Sequence, residues 1–439
     1  MILALTISKD KICDFMKERA GTMEQIVING GKPLRGTVEV SGFKNAALPI
    51  MFATVLTNDV CIIGNLPAIS DVILTLEILR SMGVEIEQID ETTYRIDSRH
   101  ATYGCAPDNL VQKMRGSVYI LGAELGRFAH ASAGTCGGCD FGQRPIDQHV
   151  KAFRALGAAV DERDDGRVTA DAEGLTGAVI YFDMVSVGAT VNAILASVMA
   201  EGMTILENAA HEPHIVDLAN FLNACGASIS GAGTDVIKIR GVPSLHGCTY
   251  DIIPDMIEAG TYMVAAAVTG GKIEITNVIP KHLESISAKL REIGAEVEEG
   301  DESVTVTAGA HMIGVHVKTM PYPGFPTDMH PQMSVLLCLV EGVSYVNETI
   351  FEHRFKYVEQ LRKMGASITL DEHMATIQGG NCLLPAAVNA VDLRAGAAMI
   401  LAGLAARGRT TVSDIVYVER GYDNIVGKLQ ALGADIRKI

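Results

Sequence analysis

A chain of 439 residues exceeds what one hydrophobic core holds and predicts two or three domains. With 48% hydrophobic, 20% charged and 5% aromatic residues the balance is globular, which excludes a disordered or low-complexity protein. The net charge of −16 and pI near 5.2 argue against a nucleic-acid or anionic-membrane partner, since either needs a basic face, so the cations for an anionic substrate must be gathered locally.

Nine cysteines, an odd number at irregular spacing, do not form a disulfide framework and fit a reducing cytosol, so the expected location is cytoplasmic. The longest apolar runs, such as Met399 to Ala406, are too short to span a bilayer, and no membrane insertion is expected. Met1 to Thr22 lacks a basic n-region and a small-residue cleavage site, and is expected to be an N-terminal extension ahead of a natural start at Met23.

In chain order, Gln25 to Asn29 reads as a strand closing on a Gly30-Gly31 turn. Val40-Ser41-Gly42-Phe43-Lys44-Asn45-Ala46-Ala47-Leu48-Pro49 sets a lysine beside an asparagine just before an alanine-rich helix. That pair suits an anion and a sugar hydroxyl, the plain alternative being a solvated lysine. A pattern then recurs six times, a helix end passing through glycine into a strand, at Gly83, Gly157, Gly226, Gly294, Gly365 and Gly433. The glycines are 74, 69, 68, 71 and 68 residues apart, so the chain reads as six units of about 70 residues, each glycine capping a helix. From the turn before each helix to its capping glycine the units run 23 to 25 residues, except the second, counted as 31 from Gly126 to Gly157. The surplus is Gly134-Thr135-Cys136-Gly137-Gly138-Cys139-Asp140-Phe141-Gly142-Gln143-Arg144-Pro145, a loop by its glycines, with Pro145 expected at the first position of the next helix. An insertion into a scaffold whose other units fold without it reads as functional. A helix N-terminus there would favour both an anion and a thiolate.

Further positions suit chemistry. Lys113-Met114-Arg115 puts an arginine at the head of a helical run. Tyr322 to Met329 holds Asp328 after a rigid proline-bounded segment, where it suits a fixed carboxylate base or, alternatively, a helix N-cap. Asp392-Leu393-Arg394 and Glu419-Arg420 each place an arginine before a helical pattern, and Ile252 to Asp255 reads as a hinge midway.

Ser41-Gly-Phe-Lys44-Asn45-Ala-Ala-Leu-Pro, Gly137-Gly-Cys139 with Arg144-Pro145, Val185-Ser-Val-Gly188-Ala-Thr, Glu207-Asn-Ala-Ala, Phe325-Pro-Thr-Asp328-Met, Phe351-Glu-His-Arg354-Phe, Asp392-Leu-Arg394-Ala and Arg420-Gly-Tyr together resemble the UDP-N-acetylglucosamine 1-carboxyvinyltransferase family of enolpyruvyl transferases, from about Met23 to Ile439. The resemblance implies an α/β fold, a two-domain inside-out α/β barrel built from six βαβαββ repeats, three per domain. Residues 44–252 would form the first domain, and 23–43 with 253–439 the second.

It implies transfer of enolpyruvate from phosphoenolpyruvate to the 3-hydroxyl of UDP-N-acetylglucosamine, the first committed step of peptidoglycan synthesis. Lys44, Arg144 and Arg420, with Arg115 and Arg394 close by, would hold phosphoenolpyruvate, and Arg354 belongs to the same substrate-binding set. Asp328 would be the base or orient the hydroxyl. Cys139 would be the acid, or the nucleophile of a pyruvate-derived adduct, and the residue that fosfomycin alkylates. Arg144, Pro145, Ile146, Asp147, Gln148, Val185, Ser186, Val187, Asn45 and Ile350 would hold the uridine and diphosphate. No metal and no organic cofactor is implied, and the oligomeric state is left open.

Three positions depart from the family's pattern. Met184 and Met256 stand where a lysine and an arginine are expected, and a thioether cannot replace a cation. Cys136 makes a C-x-x-C with Cys139, for which a redox or metal site and a reversible disulfide are alternative readings. The competing functions are a non-catalytic or specialised UDP-sugar-binding paralogue and an enolpyruvyl transferase acting on shikimate 3-phosphate.

Overall fold

The computed structural model describes residues 24–104, 106–134, 136–137, 141–142, 145–164 and 166–439. Cys139 and Arg144, and the extension Met1 to Thr22, lie outside the described residues.

Three helices in each half of the chain are mostly apolar and bury most of their residues. Lys44–Thr57 packs on Tyr119–Phe128, which packs on Val187–Ser197. Met256–Thr269, His330–Leu339 and Leu393–Ala405 pack on one another in the same way. Close approach of the first group depends on missing side chains: a Cβ at Gly122 would lie 2.5 Å from Asn192 Oδ1. Instead the Gly122 amide donates to that oxygen at 3.0 Å.

Around these helices the described residues form six sheets, five of four strands and one of three. Each four-stranded sheet combines one parallel pair with antiparallel neighbours, such as Val179–Tyr181 parallel to Met203–Glu207, itself antiparallel to Val236–Arg240. Alternate strand residues turn inward, as in Val236–Arg240, where Ile237 and Ile239 are buried and Lys238 and Arg240 exposed. The six glycines expected to cap helices have φ between +86° and +111°, the left-handed region that glycine tolerates.

Two crossings decide which strands share a sheet. Ile26–Gly30 lies between Gly408–Ser413 and Ile436–Lys438, and Arg35–Glu39 pairs with Lys272–Thr276. Thr249–Asp251 returns to pair with Val60–Gly64. The two connecting segments run side by side: the Phe43 amide donates to Ile253 O at 2.7 Å and the Asp255 amide to Ser41 O at 2.9 Å.

Two expectations need correction. Gly126 is no turn, because the helix Tyr119–Phe128 runs through it and ends at Ala129 with φ +55°. The surplus of the second unit is therefore shorter than the spacing of glycines suggests. Pro145 is not the first helical residue either; the helix is Asp147–Ala155 with Ile146 at its N-cap. Among the described residues no helix is long and apolar enough to cross a membrane.

Candidate active site

A cavity of about 490 Å³ is lined by helix ends, turns and loops from both halves of the chain. Of the candidate residues that are described, Lys44, Asn45, Arg115, Pro145, Asp147, Gln148, Val185, Ser186, Val187, Asp328, Ile350, Arg354, Arg394 and Arg420 line it. Ile146 is not among the lining residues; its partly buried side chain packs against the hydrophobic core.

Two carboxylates, each gripped by two cations, organise the walls. Lys44 opens the helix Lys44–Thr57, and its Nζ lies 2.6 Å from Asp71 Oδ2. Arg420, closing the 3-10 turn Ile415–Arg420, places Nε 3.0 Å and Nη2 3.3 Å from the same carboxylate. Burial alone would raise the Asp71 carboxyl, yet Lys44 and then Arg420 overcome it and hold it below the usual carboxylate range. Asp71 escapes sequence reasoning because an aspartate in the first turn of an apolar-periodic helix, here Ser70–Ser81, reads as a partner for the helix dipole.

The second grip is on Asp328. Arg354 Nη2 is 2.8 Å from Oδ1 and Arg394 Nε is 3.1 Å from Oδ2. Burial opposes ionisation, and Arg394 followed by Arg354 more than offsets it, so the carboxyl lies far below its ordinary range. Asp328 is thus no N-cap: it sits in the 3-10 turn Thr327–Met329, and its oxygens face the two arginines. The arginines are themselves built in. The Arg354 guanidinium lies 4.0 Å from the centre of the Phe141 ring, and Tyr422 underlies Arg394 at 5.3 Å. The Asp392 side chain caps the helix at the amides of Arg394 and Ala395. Among the described residues, the buried Arg354 Nε and Arg394 Nη1 have no hydrogen-bond partner.

Asn45 follows Lys44 in the first turn of its helix, and Arg115 starts the 3-10 turn Arg115–Val118. Gln148 ties the wall together, its Oε1 accepting from the Asp183 amide at 3.0 Å and its Nε2 donating to Asp147 Oδ2 at 2.8 Å. Ser186 caps the helix Val187–Ser197, whose N-terminus opens onto the cavity between Val185 and Val187. Ile350 is held by its amide, which donates to the buried Glu348 at 2.7 Å. The same carboxylate accepts from Thr327 beside Asp328. Beyond the loop, Phe141 and Gly142 meet the Phe351 to Arg354 segment, with the His353 amide donating to Phe141 O at 3.2 Å.

Several lining residues carried no sequence signal. Asn192 Nδ2 donates to Val118 O and lies 2.8 Å from His149 Nδ1, which makes that nitrogen the acceptor and leaves the proton on Nε2. Burial, reinforced by Arg115, pushes His149 down to about 3, so the ring is neutral. It lies against Gly188, where a Cβ would come within 3.0 Å of it. Glu212 and His214 line the opposite wall, burial raising the first and lowering the second to about 4. Met184, exposed, and Met256, buried, also line the cavity, so neither expected cation is replaced by another at its own position. Cys136 is half-buried against the core, and among the described residues no group of three or more His, Cys, Asp or Glu side chains could hold a metal ion.

The family described as EPSP synthase (3-phosphoshikimate 1-carboxyvinyltransferase) matches residues 28–429. UDP-N-acetylglucosamine 1-carboxyvinyltransferase 2 of Clostridium acetobutylicum is 52% identical over 417 residues, 95% of this chain and 99% of that protein. The corresponding protein of Clostridium botulinum is 52% identical over 95% of this chain and all of its own length. Among solved structures, the enolpyruvyl transferase NikO of Streptomyces tendae superposes with a TM-score of 0.86 at 28% identity, covering 94% of this chain and 98% of that one. EPSP synthase of Acinetobacter baumannii, at 20% identity, shares the fold with a TM-score of 0.76 over 95% of this chain and all of its own. With cation-clamped carboxylates in a cavity lined by both halves of the chain, and relatives matched end to end, the chain belongs to the EPSP synthase family of enolpyruvyl transferases, within its UDP-N-acetylglucosamine 1-carboxyvinyltransferase branch.

Proposed function

We propose that this enzyme transfers the enolpyruvyl group of phosphoenolpyruvate to the 3-hydroxyl of UDP-N-acetylglucosamine with release of phosphate, the first committed step of peptidoglycan synthesis. The observation that carries the reading is the pair of clamped carboxylates in one cavity: Lys44 and Arg420 on Asp71, Arg354 and Arg394 on Asp328. Phosphoenolpyruvate presents a phosphate and a carboxylate, and two separated pairs of cations match two separated anionic groups. Buried Arg354 Nε and Arg394 Nη1, without a partner among the described residues, are donors that an arriving carboxylate would satisfy. Lys44 and Arg420, joined by Arg144, would take the phosphate.

In the addition step the sugar oxygen bonds to C2 while a proton goes to C3. In the elimination step the C2–O bond to phosphate breaks and C3 loses a proton, leaving the enol ether. As found, Asp328 is a weak base, because two guanidiniums stabilise its anion. A substrate carboxylate that draws Arg354 and Arg394 onto itself would restore its basicity as the hydroxyl arrives, so Asp328 orients the hydroxyl and then receives its proton. Cys139 would be the acid at C3, or the nucleophile of a pyruvate adduct, and the target of fosfomycin. The uridine and diphosphate would lie along Arg144, Pro145, Ile146, Asp147, Gln148, Val185 to Val187, Asn45 and Ile350, with Arg115 beside the phosphoenolpyruvate cations. The contacts of Phe141 with Phe351 and Arg354 support a loop that closes the cavity and excludes water.

The reading extends to architecture and place. Residues 44–252 form one domain, and 23–43 with 253–439 the other, each of three βαβαββ units in an inside-out barrel. This is supported by the pairing of Ile26–Gly30 and Arg35–Glu39 with the later strands, and of Thr249–Asp251 with Val60–Gly64. The compartment is the cytoplasm.

A second reading, a UDP-sugar-binding paralogue without catalysis, draws on Met184 and Met256 in the cavity wall. One experiment separates them: phosphate release from phosphoenolpyruvate with UDP-N-acetylglucosamine, beside shikimate 3-phosphate and beside Cys139→Ala. Release that requires the nucleotide sugar and collapses in the variant is expected. Binding of UDP-N-acetylglucosamine without release from either acceptor would establish the paralogue instead.

A further inference from the structure

Away from the cavity, three thiols far apart in sequence meet. Cys225 Sγ lies 3.3 Å from Cys248 Sγ, across 23 residues of chain. The Cys61 thiol interacts electrostatically with both, and lies 3.7 Å from Thr57 Oγ1. Cys61 and Cys225 are fully buried while Cys248 is partly exposed, and none of the three is in a disulfide.

The backbone holds this meeting in place. Cys225 follows the helix Pro213–Ala224, and its carbonyl accepts from the His246 amide at 2.9 Å. Cys248 precedes the strand Thr249–Asp251, and its carbonyl accepts from the Ile62 amide beside Cys61 at 2.9 Å. The same helix and strand are joined a second time where Tyr250 Oη donates to Asp217 Oδ1 at 2.6 Å. A disulfide needs its sulfurs at about 2.05 Å. The two side chains therefore have only about 1 Å to travel, between backbone segments already tied on either side of them. The apolar packing that buries Cys61 and Cys225 explains no such convergence of sulfurs, since any small apolar side chain would fill the space.

We propose that Cys225 and Cys248 form a reversible redox site, oxidised by hydrogen peroxide to a disulfide that staples the end of the helix Pro213–Ala224 to the strand leading into the crossover. The partly exposed Cys248 sulfur attacks a peroxide oxygen. The S–O bond forms, the O–O bond breaks, and one water leaves, giving a sulfenic acid. Cys225 then attacks that sulfur, the S–S bond forms, and hydroxide departs with the Cys225 proton as a second water. Two thiols lose two electrons and one peroxide gains them. Cys61 stays reduced, its thiol beside Thr57 Oγ1. In a reducing compartment such a bond is transient, which suits a sensor rather than a structural brace.

The test uses the whole reduced protein and hydrogen peroxide, read by differential alkylation and non-reducing peptide mapping. No arm depends on activity, so its outcome is separate from that of the proposed function. Expected is one crosslink, Cys225 to Cys248, formed before the exposed Cys382 is fully oxidised and reversed by dithiothreitol. The oxidised protein should melt about 2–4 °C higher, a shift absent in Cys248→Ser. The proposal fails if Cys225 and Cys248 both remain alkylatable once Cys382 is consumed. It also fails if Cys248 passes to sulfinic acid uncrosslinked, or if the crosslink joins Cys61 instead.

Discussion

At the scale of single residues, the site depends on two carboxylates that each hold two cations. Asp71 holds Lys44 and Arg420 side by side although like charges repel, and at 4% side-chain exposure it does so with little help from water. Asp71→Asn removes the charge and keeps the shape. It should lower kcat/KM for phosphoenolpyruvate by about 10- to 100-fold and unfolding stability by about 3 kcal/mol, the cost of leaving buried cations without their anion. Steady-state kinetics beside chemical denaturation checks both; an unchanged KM for phosphoenolpyruvate would mean that the pair does not bind it. At Asp328, Arg394→Gln takes away the larger of the two guanidinium contributions that hold the carboxyl down. The carboxyl then titrates at higher pH, so the acid limb of the kcat/KM profile should move upward relative to wild type. A limb that stays in place would assign it to another group.

At the scale of elements, the site rests on helices that approach more closely than side chains normally allow. Gly122 faces Asn192 across the contact between Tyr119–Phe128 and Val187–Ser197, and Asn192 in turn orients His149 on the cavity wall. Gly122→Ala places a carbon 2.5 Å from Asn192 Oδ1 and 2.8 Å from its backbone oxygen, so backbone must move. A loss of about 1–3 kcal/mol is expected, as for other overpacked cores. Gly174→Ala, with nothing within 4 Å of the added carbon, should stay within about 0.5 kcal/mol of wild type. Thermal unfolding of the two variants side by side tests whether contact, not helix propensity, sets the difference. The elements were largely readable in advance, because a capping glycine followed by β-branched alternation is a local signal. Gly126 misled, since a glycine kept for helix packing looks the same in one dimension as a glycine kept for a turn.

For the whole molecule, stability should depend on pH in two opposed ways. Burial raises the carboxyls of Glu124 and Glu258 to about 7, partly countered by the Ser132 and Gly104 amides in one case and by Lys428 in the other. The folded protein therefore keeps protons that the unfolded chain releases above about 4.5. Their contribution is fully present below that pH and is lost as pH rises through 7, by up to about 3 kcal/mol for each group. Asp71 and Asp328 act in the other direction, stabilising above the ordinary carboxylate range and losing that effect in acid. Denaturation across pH 4.5 to 7 should show Glu124→Gln with a shallower fall than wild type. Parallel curves would mean that Glu124 is ionised in the folded state throughout.

From the sequence by itself came the α/β class, the capping glycines, the family, and fourteen of the residues that line the cavity. These are legible because caps, strand alternation and the short motifs around Lys44, Asp328, Arg394 and Arg420 are local patterns. Only the tertiary structure brought Asp71 between Lys44 and Arg420, set the Asp328 carboxylate between two arginines, turned His149 toward Gly188, and drew Cys61, Cys225 and Cys248 together. Each of these joins residues from separate elements, at distances set by how helices and sheets pack. One-dimensional spacing holds no record of that packing, and a buried aspartate or cysteine reads there as ordinary core or cap.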